Sequence, residues 1–240
     1  MRVAIMQPYV FPYLGYYQLL HAADRFVLFD DVNFIKKGWI NRNRILLNGE
    51  PFTFTVPIKD MSQNATIRAS MIADDPSWKS KLLGNLQHAY RKAPQFETIF
   101  PPVEVMIREA QGNIADLAEA SIRFVADLLQ LPVLIDRAST LALPPELKAQ
   151  ERILAICAHH GATRYINPAN GAELYDAERF ADQGIDLRFL RMDGDIHYTQ
   201  QGGNAFVPAL SMLDLLMNRA PDEVRTLLVR YRLLTAAELN

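Results

Sequence analysis

Charged and amide side chains that could bind a substrate cluster between residues 30 and 44. Asp30 and Asp31 follow a buried apolar run, and adjacent carboxylates can orient an amine or a metal-bound phosphate. Lysine and arginine bind anions, and arginine makes forked contacts with phosphate or carboxylate. The side chains that follow the two acids are Lys36, Lys37, Trp39, Asn41, Arg42, Asn43 and Arg44. This mixture predicts an anion-binding segment, and a solvated basic hairpin is the alternative.

A second candidate segment runs from Gln7 to Tyr17 and is rich in aromatic residues and proline. Tyr13 and Tyr16 flank Gly15, which allows a helix to begin close to a ligand. The free backbone N–H groups at a helix start favour phosphate or carboxylate. We therefore predict a ligand contact here that includes Gln7. The alternative is an aromatic core cluster with a structural glycine.

Two further segments carry candidates. Asn167 and Tyr175 lie in a strand and the glycine-containing loop after it, for which ordinary turn chemistry is the alternative. The polar, glycine-rich loop His197–Phe206 contains Gln200 and is predicted to be a mobile substrate loop. His197 is the best candidate for a general base. Cys157 is expected to be buried and inert.

Composition excludes several classes of protein. The chain has 240 residues, 50% hydrophobic and 22% charged, with a net charge of -2. This balance does not favour a nucleic-acid binder that acts by bulk electrostatics. The single cysteine excludes intrachain disulfides and cysteine-based metal sites, and no other metal-ligand spacing is present. The chain lacks an apolar run long enough for a membrane span or signal peptide, so a cytoplasmic protein is expected.

The elements that must position these residues alternate between strand and helix. Apolar runs predict a strand at Val3–Met6, a helix at Leu14–Ala23 and a strand at Phe26–Phe29. Strand, helix and strand in this order indicate a parallel sheet. Asn48-Gly49 predicts a β-hairpin inside a small antiparallel insertion at about residues 33–73.

Later segments extend the same α/β pattern. We predict another strand in Thr66–Ile72, a helical region at about 75–130, alternating elements in the last third, and a helical C-terminal tail. The whole chain, 1–240, is predicted to be one α/β domain. In open α/β sheets ligands bind beyond the carboxyl ends of the parallel strands. The segments after residues 6, 29 and 166 are expected to meet there in one cleft.

Long stretches of the sequence resemble the WbqC-like protein family. These stretches are MQPYVFPYLGYYQLLHAADRFVLFDDVNFIKKGWINRNRI, RYINPANGAELYD and FVPALSMLDLLMN. The resemblance implies a protein of O-antigen or related polysaccharide loci, with transfer of glycine or another amino acid onto a sugar as the expected activity.

The start of the chain is also distantly similar to the HIGH-motif nucleotidyltransferases, which include pantothenate synthetase. That similarity implies a Rossmann-like fold, ATP phosphates at the first helix start, and an adenylate intermediate. Tyr13 and Tyr16 stand where the two histidines of the motif belong. ATP is therefore one candidate cofactor. An activated acyl group from another carrier, or a nucleotide sugar bound without ATP, are the alternatives.

Together these observations predict an aminoacyl or acyl transferase that acts on an amino-sugar or nucleotide-sugar acceptor. Tyr13, Gly15 and Tyr16 would line the donor site. The lysines and arginines of residues 36–44 would hold phosphate or carboxylate. Asp30, Asp31 or His197 would orient or deprotonate the acceptor amine. The alternatives are a ligand-binding protein that has lost catalysis and an assembly partner in a biosynthetic complex.

Overall fold

The computed structural model describes residues 1–62, 64–194, 196–202 and 205–239. Helices and strands alternate along this part of the chain, as predicted. The strands are β1 (Arg2–Met6), β2 (Arg25–Leu28), β3 (Arg42–Leu47), β4 (Glu50–Thr55), β5 (Leu134–Arg137), β6 (Arg164–Pro168), β7 (Asp186–Met192) and β8 (Tyr231–Leu234). The α-helices are α1 (Leu14–Ala22), α2 (Ser77–Tyr90), α3 (Phe96–Glu109), α4 (Ile114–Leu128), α5 (Ala149–His159), α6 (Ala177–Ala181), α7 (Met212–Asn218) and α8 (Pro221–Leu228).

The central sheet has the order β5-β2-β1-β6-β7-β8. The neighbouring pairs from β5 to β7 are parallel, and β8 runs antiparallel along β7. The chain starts in the middle of the sheet, builds outward through β2 and β5, then returns to β6 beside β1. The strand order therefore reverses between β1 and β6, which is where open α/β sheets bind ligands. The predicted α/β fold with a mostly parallel sheet is confirmed.

Both faces of the sheet are covered by helices, so its central strands are buried on both sides. Val3 and Ile5 of β1 pack into the cluster that contains α5 residues, whereas Ala4 packs against α1. This alternation follows from the two-residue period of a strand. It also explains why these strands read as continuous apolar runs.

The predicted hairpin is present as a separate two-stranded sheet formed by β3 and β4. Asn48 and Gly49 form its two-residue turn, with φ angles of 54° and 81°. Positive φ at both central positions fits the twist of a tight hairpin, and Asn-Gly adopts it at low cost.

Two sequence predictions need correction. The proposed strand in Thr66–Ile72 is instead a short 3-10 helix, Ile67–Ala69, with isolated bridges on either side. The backbone N–H groups of Ile67 and Arg68 donate to carbonyls of the loop after β2, at Val32 and Asp30, rather than to a strand partner.

The C-terminal tail is not entirely helical. It contains α8 and then β8, which completes the edge of the sheet beside β7. β8 satisfies its backbone hydrogen bonds by pairing with β7, and the local sequence does not indicate this partner because it lies about 40 residues away. Within the described residues, no helix has the length and hydropathy needed to cross a membrane.

Candidate functional site

Two adjoining cavities lie along the carboxyl ends of the parallel strands. The first, of about 470 Å³, opens between β1 and β6, and we name it the switch-point cavity. Its lining residues are Ile5, Met6, Gln7, Phe29, Ala149, Gln150, Ile153, Asn167, Pro168, Asn170, Gly171, Leu174 and Tyr175. The second, of about 660 Å³, lies beyond β2 and β5 and is named the Asp31 cavity. Phe29 and Ala149 line both cavities, so they form neighbouring parts of one cleft.

The switch-point cavity has a mostly apolar lining that contains four carboxamides, those of Gln7, Gln150, Asn167 and Asn170, and no charged side chain. Gln7, Asn167 and Tyr175, all predicted site residues, meet here. The carboxamide of Asn167 donates from Nδ2 to the hydroxyls of Tyr165 (2.8 Å) and Tyr175 (3.1 Å). Burial raises the pKa of Tyr175, which therefore stays protonated and acts as a hydrogen-bonding group rather than a base.

The Asp31 cavity is the charged part of the cleft. Its lining includes Asp31, Arg68, Lys148 and Arg152. The carboxylate Oδ2 of Asp31 forms an ion pair with Arg152. The other oxygen, Oδ1, is buried and has no hydrogen-bond partner among the described residues. A buried acceptor without a partner is costly, so this oxygen is suited to receive an N–H from a ligand.

Asp30 does not face the cleft and instead ties two strand ends together. Its buried carboxylate accepts hydrogen bonds from the backbone N–H (3.0 Å) and the hydroxyl (2.7 Å) of Ser139, which follows β5. The two adjacent acids therefore occupy different environments: Asp30 is used within the protein, and Asp31 lines a cavity.

The glycine turn is packed into the protein. The ring of Tyr13 covers Gly15 so closely that a β-carbon there would lie 2.6 Å from it. Tyr16 is only 2% exposed and donates its hydroxyl to the carbonyl of Gln7 at 3.2 Å. Burial raises the pKa of Tyr16 well above its usual value, so this hydroxyl is not an acid or base near neutral pH. Tyr16 lies outside the lining of both cavities, and Gly15 lies beneath the Tyr13 ring.

The cationic stretch lies on a different part of the surface. Trp39 is 47% exposed, and the guanidinium groups of Arg42 and Arg44 lie 5.3 Å and 5.6 Å from the centre of its ring. Arg42 donates to the carbonyls of Lys37 and Gly38, and Arg44 donates to that of Ala209 at 3.2 Å. The side chains of Lys36 and Lys37 are exposed. None of these residues lines either cavity of the cleft.

The two asparagines of that stretch are buried and hold backbone in place. Asn41 Nδ2 donates to the carbonyl of Val56 at 2.7 Å. Asn43 Nδ2 donates to the carbonyls of Val10 (3.1 Å) and Phe11 (2.5 Å). The first and second predicted segments are therefore neighbours, but they meet through backbone contacts rather than across a shared cavity of the cleft.

A third cavity, of about 350 Å³, adjoins the start of α1 and brings Tyr13 and His197 together. The ring of His197 packs on Phe206, with 4.5 Å between centroids. Gln200 Nε2 donates to Tyr198 Oη at 3.3 Å and to the buried Asp214 at 3.3 Å, so it supports this wall from behind. Gly203 and Asn204 of the predicted substrate loop lie outside the described residues, and the mobility of that loop stays a prediction.

Arg68, Lys148, Gln150 and Arg152 line the cleft and were not predicted from sequence, whereas Asn170 and Gly171 lie inside the predicted segment 167–175 without having been singled out. Gln150 and Arg152 lie at the start of α5, the helix that carries the chain from β5 back to β6. The rule that ligands bind at the carboxyl edge could have indicated them, because this helix begins at that edge. No sequence pattern indicated Arg68, because it lies in a 3-10 helix of only three residues, which has no periodic signature. Among the described residues, no group of three His, Cys, Asp or Glu side chains is arranged to hold a metal ion.

The strand order defines a Rossmann-like α/β protein with a cleft at the carboxyl edge of the sheet, where its order reverses. The chain belongs to the WbqC-like protein family, whose model matches residues 7–226. It is 28% identical over 229 residues to the uncharacterized protein Rv1507c of Mycobacterium tuberculosis. The aligned region covers 93% of this chain and 97% of that protein. No solved structure matches the chain.

Proposed function

We propose that the protein is a transferase that moves an aminoacyl group such as glycyl, or another acyl group, onto an amino-sugar or nucleotide-sugar acceptor. We place the reaction in the cytoplasm, in the synthesis of surface polysaccharide or a related product. Membership of the WbqC-like family supports a transferase.

The observation that carries the proposal is the pair of adjoining cavities with different linings. One is uncharged and rich in carboxamides, and the other contains an acid and three basic residues. Each lies within the volume range of small-molecule sites. A cleft with two unlike compartments suits a substrate that carries an uncharged part next to a charged one, such as a nucleotide sugar, and holds it in one orientation for reaction.

Asp31 is the residue we assign to the acceptor amine. Its free, buried oxygen can accept an N–H and hold the nitrogen against the acyl carbon of the donor. In the transfer step the nitrogen lone pair forms the amide bond as the bond between the carbonyl carbon and its leaving group breaks. The leaving group departs with the bonding electron pair, and the nitrogen gives up one proton to the base, for which His197 is the candidate. Positioning would supply most of the rate increase.

Tyr13 and His197, which line the third cavity, remain the candidates for the donor site and the base. ATP remains a candidate co-substrate, with a preactivated acyl carrier as the alternative. The lysines and arginines of residues 36–44 stay predicted anion contacts at the surface.

The direct test is to incubate the purified protein with amino-sugar nucleotides, glycine or acyl donors, and ATP, and to measure amide product and pyrophosphate by mass spectrometry. Asp31→Asn should lower product formation at least about tenfold, because the oxygen that orients the amine loses its charge. Asp127→Asn, at an exposed position on α4, is the matched control and should react as the unaltered protein does. Absence of product across a broad set of donors and acceptors would rule out the transferase.

The second candidate function is a ligand-binding protein without catalysis. The tyrosines at positions 13 and 16 motivate it, since they replace the histidines of the nucleotidyltransferase motif. A compound that raises the melting temperature but is recovered unchanged after long incubation would favour this alternative.

A further inference from the structure

We propose that the cleft binds a phosphorylated ring compound, with the uncharged ring in the switch-point cavity and the phosphate in the Asp31 cavity. This ligand class covers nucleoside phosphates and sugar phosphates. The inference deepens the proposed function, because it states which part of the substrate each cavity takes.

The side chain of Asn167, which is only 4% exposed, offers the ring a hydrogen-bond acceptor. Its Nδ2 atom is committed to two tyrosine hydroxyls. Its Oδ1 atom has no hydrogen-bond partner among the described residues, and it points at Gly171, where a β-carbon would overlap it. Both residues line the switch-point cavity, so this oxygen presents an unused acceptor to whatever enters.

A matching donor lies in the same cavity. Gln150 accepts the backbone N–H of Asp176 with Oε1 at 2.7 Å, which fixes the orientation of its carboxamide. Its Nε2 atom is buried and has no partner in the described part of the chain. Buried polar groups are normally satisfied, so a free donor and a free acceptor in one cavity point to a ligand that supplies both. The lining carries no charge, which fits an uncharged ring with hydroxyl, amino or carbonyl groups.

The cations of the Asp31 cavity supply the second half of the argument. Arg152 is paired with Asp31. Arg68 and Lys148 also line the cavity, and the described residues place no acid in salt-bridge contact with either. The cavity therefore has an excess of positive charge, which favours an anionic group, and a phosphate carries enough charge to pair with more than one of these cations. Because Phe29 and Ala149 line both cavities, one molecule can reach from the uncharged part to the charged part.

The experiment is titration calorimetry with uridine diphosphate, N-acetylglucosamine 1-phosphate, uridine, N-acetylglucosamine and pyrophosphate. At least one phosphorylated ring compound should bind at least about tenfold more tightly than its unphosphorylated ring and than pyrophosphate. Which of the two binds distinguishes a nucleoside from a sugar. Failure of both phosphorylated compounds to bind, or equal binding of pyrophosphate, would overturn the proposal.

Two substitutions test the two cavities separately. Gly171→Ala should weaken binding of the phosphorylated ring compound about tenfold and leave binding of pyrophosphate unchanged, because the added methyl displaces the Asn167 carboxamide. Gln150→Met, which removes the free donor, gives a second measurement of the same effect. Arg68→Gln should weaken the binding of the phosphorylated ring compound and of pyrophosphate alike, about tenfold for each.

Gly84→Ala and Arg91→Gln are the matched controls, since Gly84 has open space at its β-carbon position, Arg91 is exposed just after α2, and neither residue lines the cleft. Unchanged binding in both Gly171→Ala and Gln150→Met would refute the ring assignment. Because calorimetry measures binding alone, tight binding without transfer would contradict the transferase and leave this inference intact.

Discussion

Phe11 adopts a left-handed backbone conformation, with φ of 46°, although it carries a large side chain. Such a conformation costs of order 1–3 kcal/mol and persists only where the surroundings enforce it. Here the backbone N–H donates to Ser121 Oγ at 2.9 Å. The carbonyl accepts from Asn43 Nδ2 at 2.5 Å and from Ser211 Oγ at 2.9 Å. Three distant side chains thus fix the turn that leads into α1.

Asn43→Ala should lower the free energy of unfolding by about 2 kcal/mol, because it removes the Asn43 donor from the Val10 carbonyl and one of the two side-chain donors from the Phe11 carbonyl. Urea denaturation measures this change. Asn64→Ala, at an exposed position, should change stability by less than about 0.5 kcal/mol. Similar values for both variants would show that Asn43 does not anchor the turn.

Cys157 is fully buried in α5, and burial raises the pKa of its thiol to about 12. Because only the thiolate reacts, the folded protein should resist a thiol reagent near pH 8, and the urea-unfolded chain should take up one equivalent. Absorbance after addition of a chromogenic disulfide reports this directly. Rapid labelling of the folded protein would be inconsistent with the burial of Cys157.

At the scale of elements, two glycines illustrate how the surrounding structure decides the effect of the same substitution. Gly49 has φ of 81° in the β3–β4 turn, whereas Gly84 lies inside α2 with open space around its missing β-carbon. Alanine in a left-handed position costs roughly 1 kcal/mol or more. Alanine inside a helix stabilises it by roughly 0.5–1 kcal/mol relative to glycine.

Gly49→Ala should therefore lower the melting temperature, and Gly84→Ala should raise it. Differential scanning calorimetry on the two variants and the unaltered protein measures the direction of both changes in melting temperature. A decrease for both substitutions would mean that the helical position is constrained by contacts that the structure does not show.

At the scale of the whole molecule, Asp214 links parts of the chain that are distant in sequence. It lies on α7 and accepts hydrogen bonds from Tyr90 of α2 (2.8 Å) and from Tyr198 (2.7 Å). Burial raises the pKa of the Asp214 carboxyl, and these hydrogen bonds offset part of that effect. The folded protein therefore holds this proton more tightly than the unfolded chain does.

Stability should consequently fall as the pH rises from the ordinary carboxyl pKa of 3.8 through the higher folded value, because the folded state binds more protons in that window. Asp214→Asn has no proton to lose, so the unaltered protein should lose stability relative to this variant over that range. Urea denaturation from about pH 4 to about pH 7 tests it. Parallel pH profiles for the two proteins would contradict the expected linkage.

The sequence by itself determined the local elements that carry the site. The apolar runs of β1, β2 and β6 indicated buried strands, and Asn48-Gly49 indicated the hairpin, because such signals depend on residues close together in the chain. It also predicted that Gln7, Asn167 and Tyr175 lie near one edge of the sheet, and these three residues line one cavity there.

Only the tertiary structure decided which charged residues line the cleft. Of the cations at residues 36–44, Arg42 and Arg44 donate to backbone carbonyls and none lines the cleft, whereas Arg68, Lys148 and Arg152 line one cavity with Asp31 although Arg68 is about 80 residues away from the other two in sequence. The reason is physical: a charged side chain gives no periodic signal of its own. Its partner is set by where the strands and helices bring the backbone, and that depends on packing across the whole molecule.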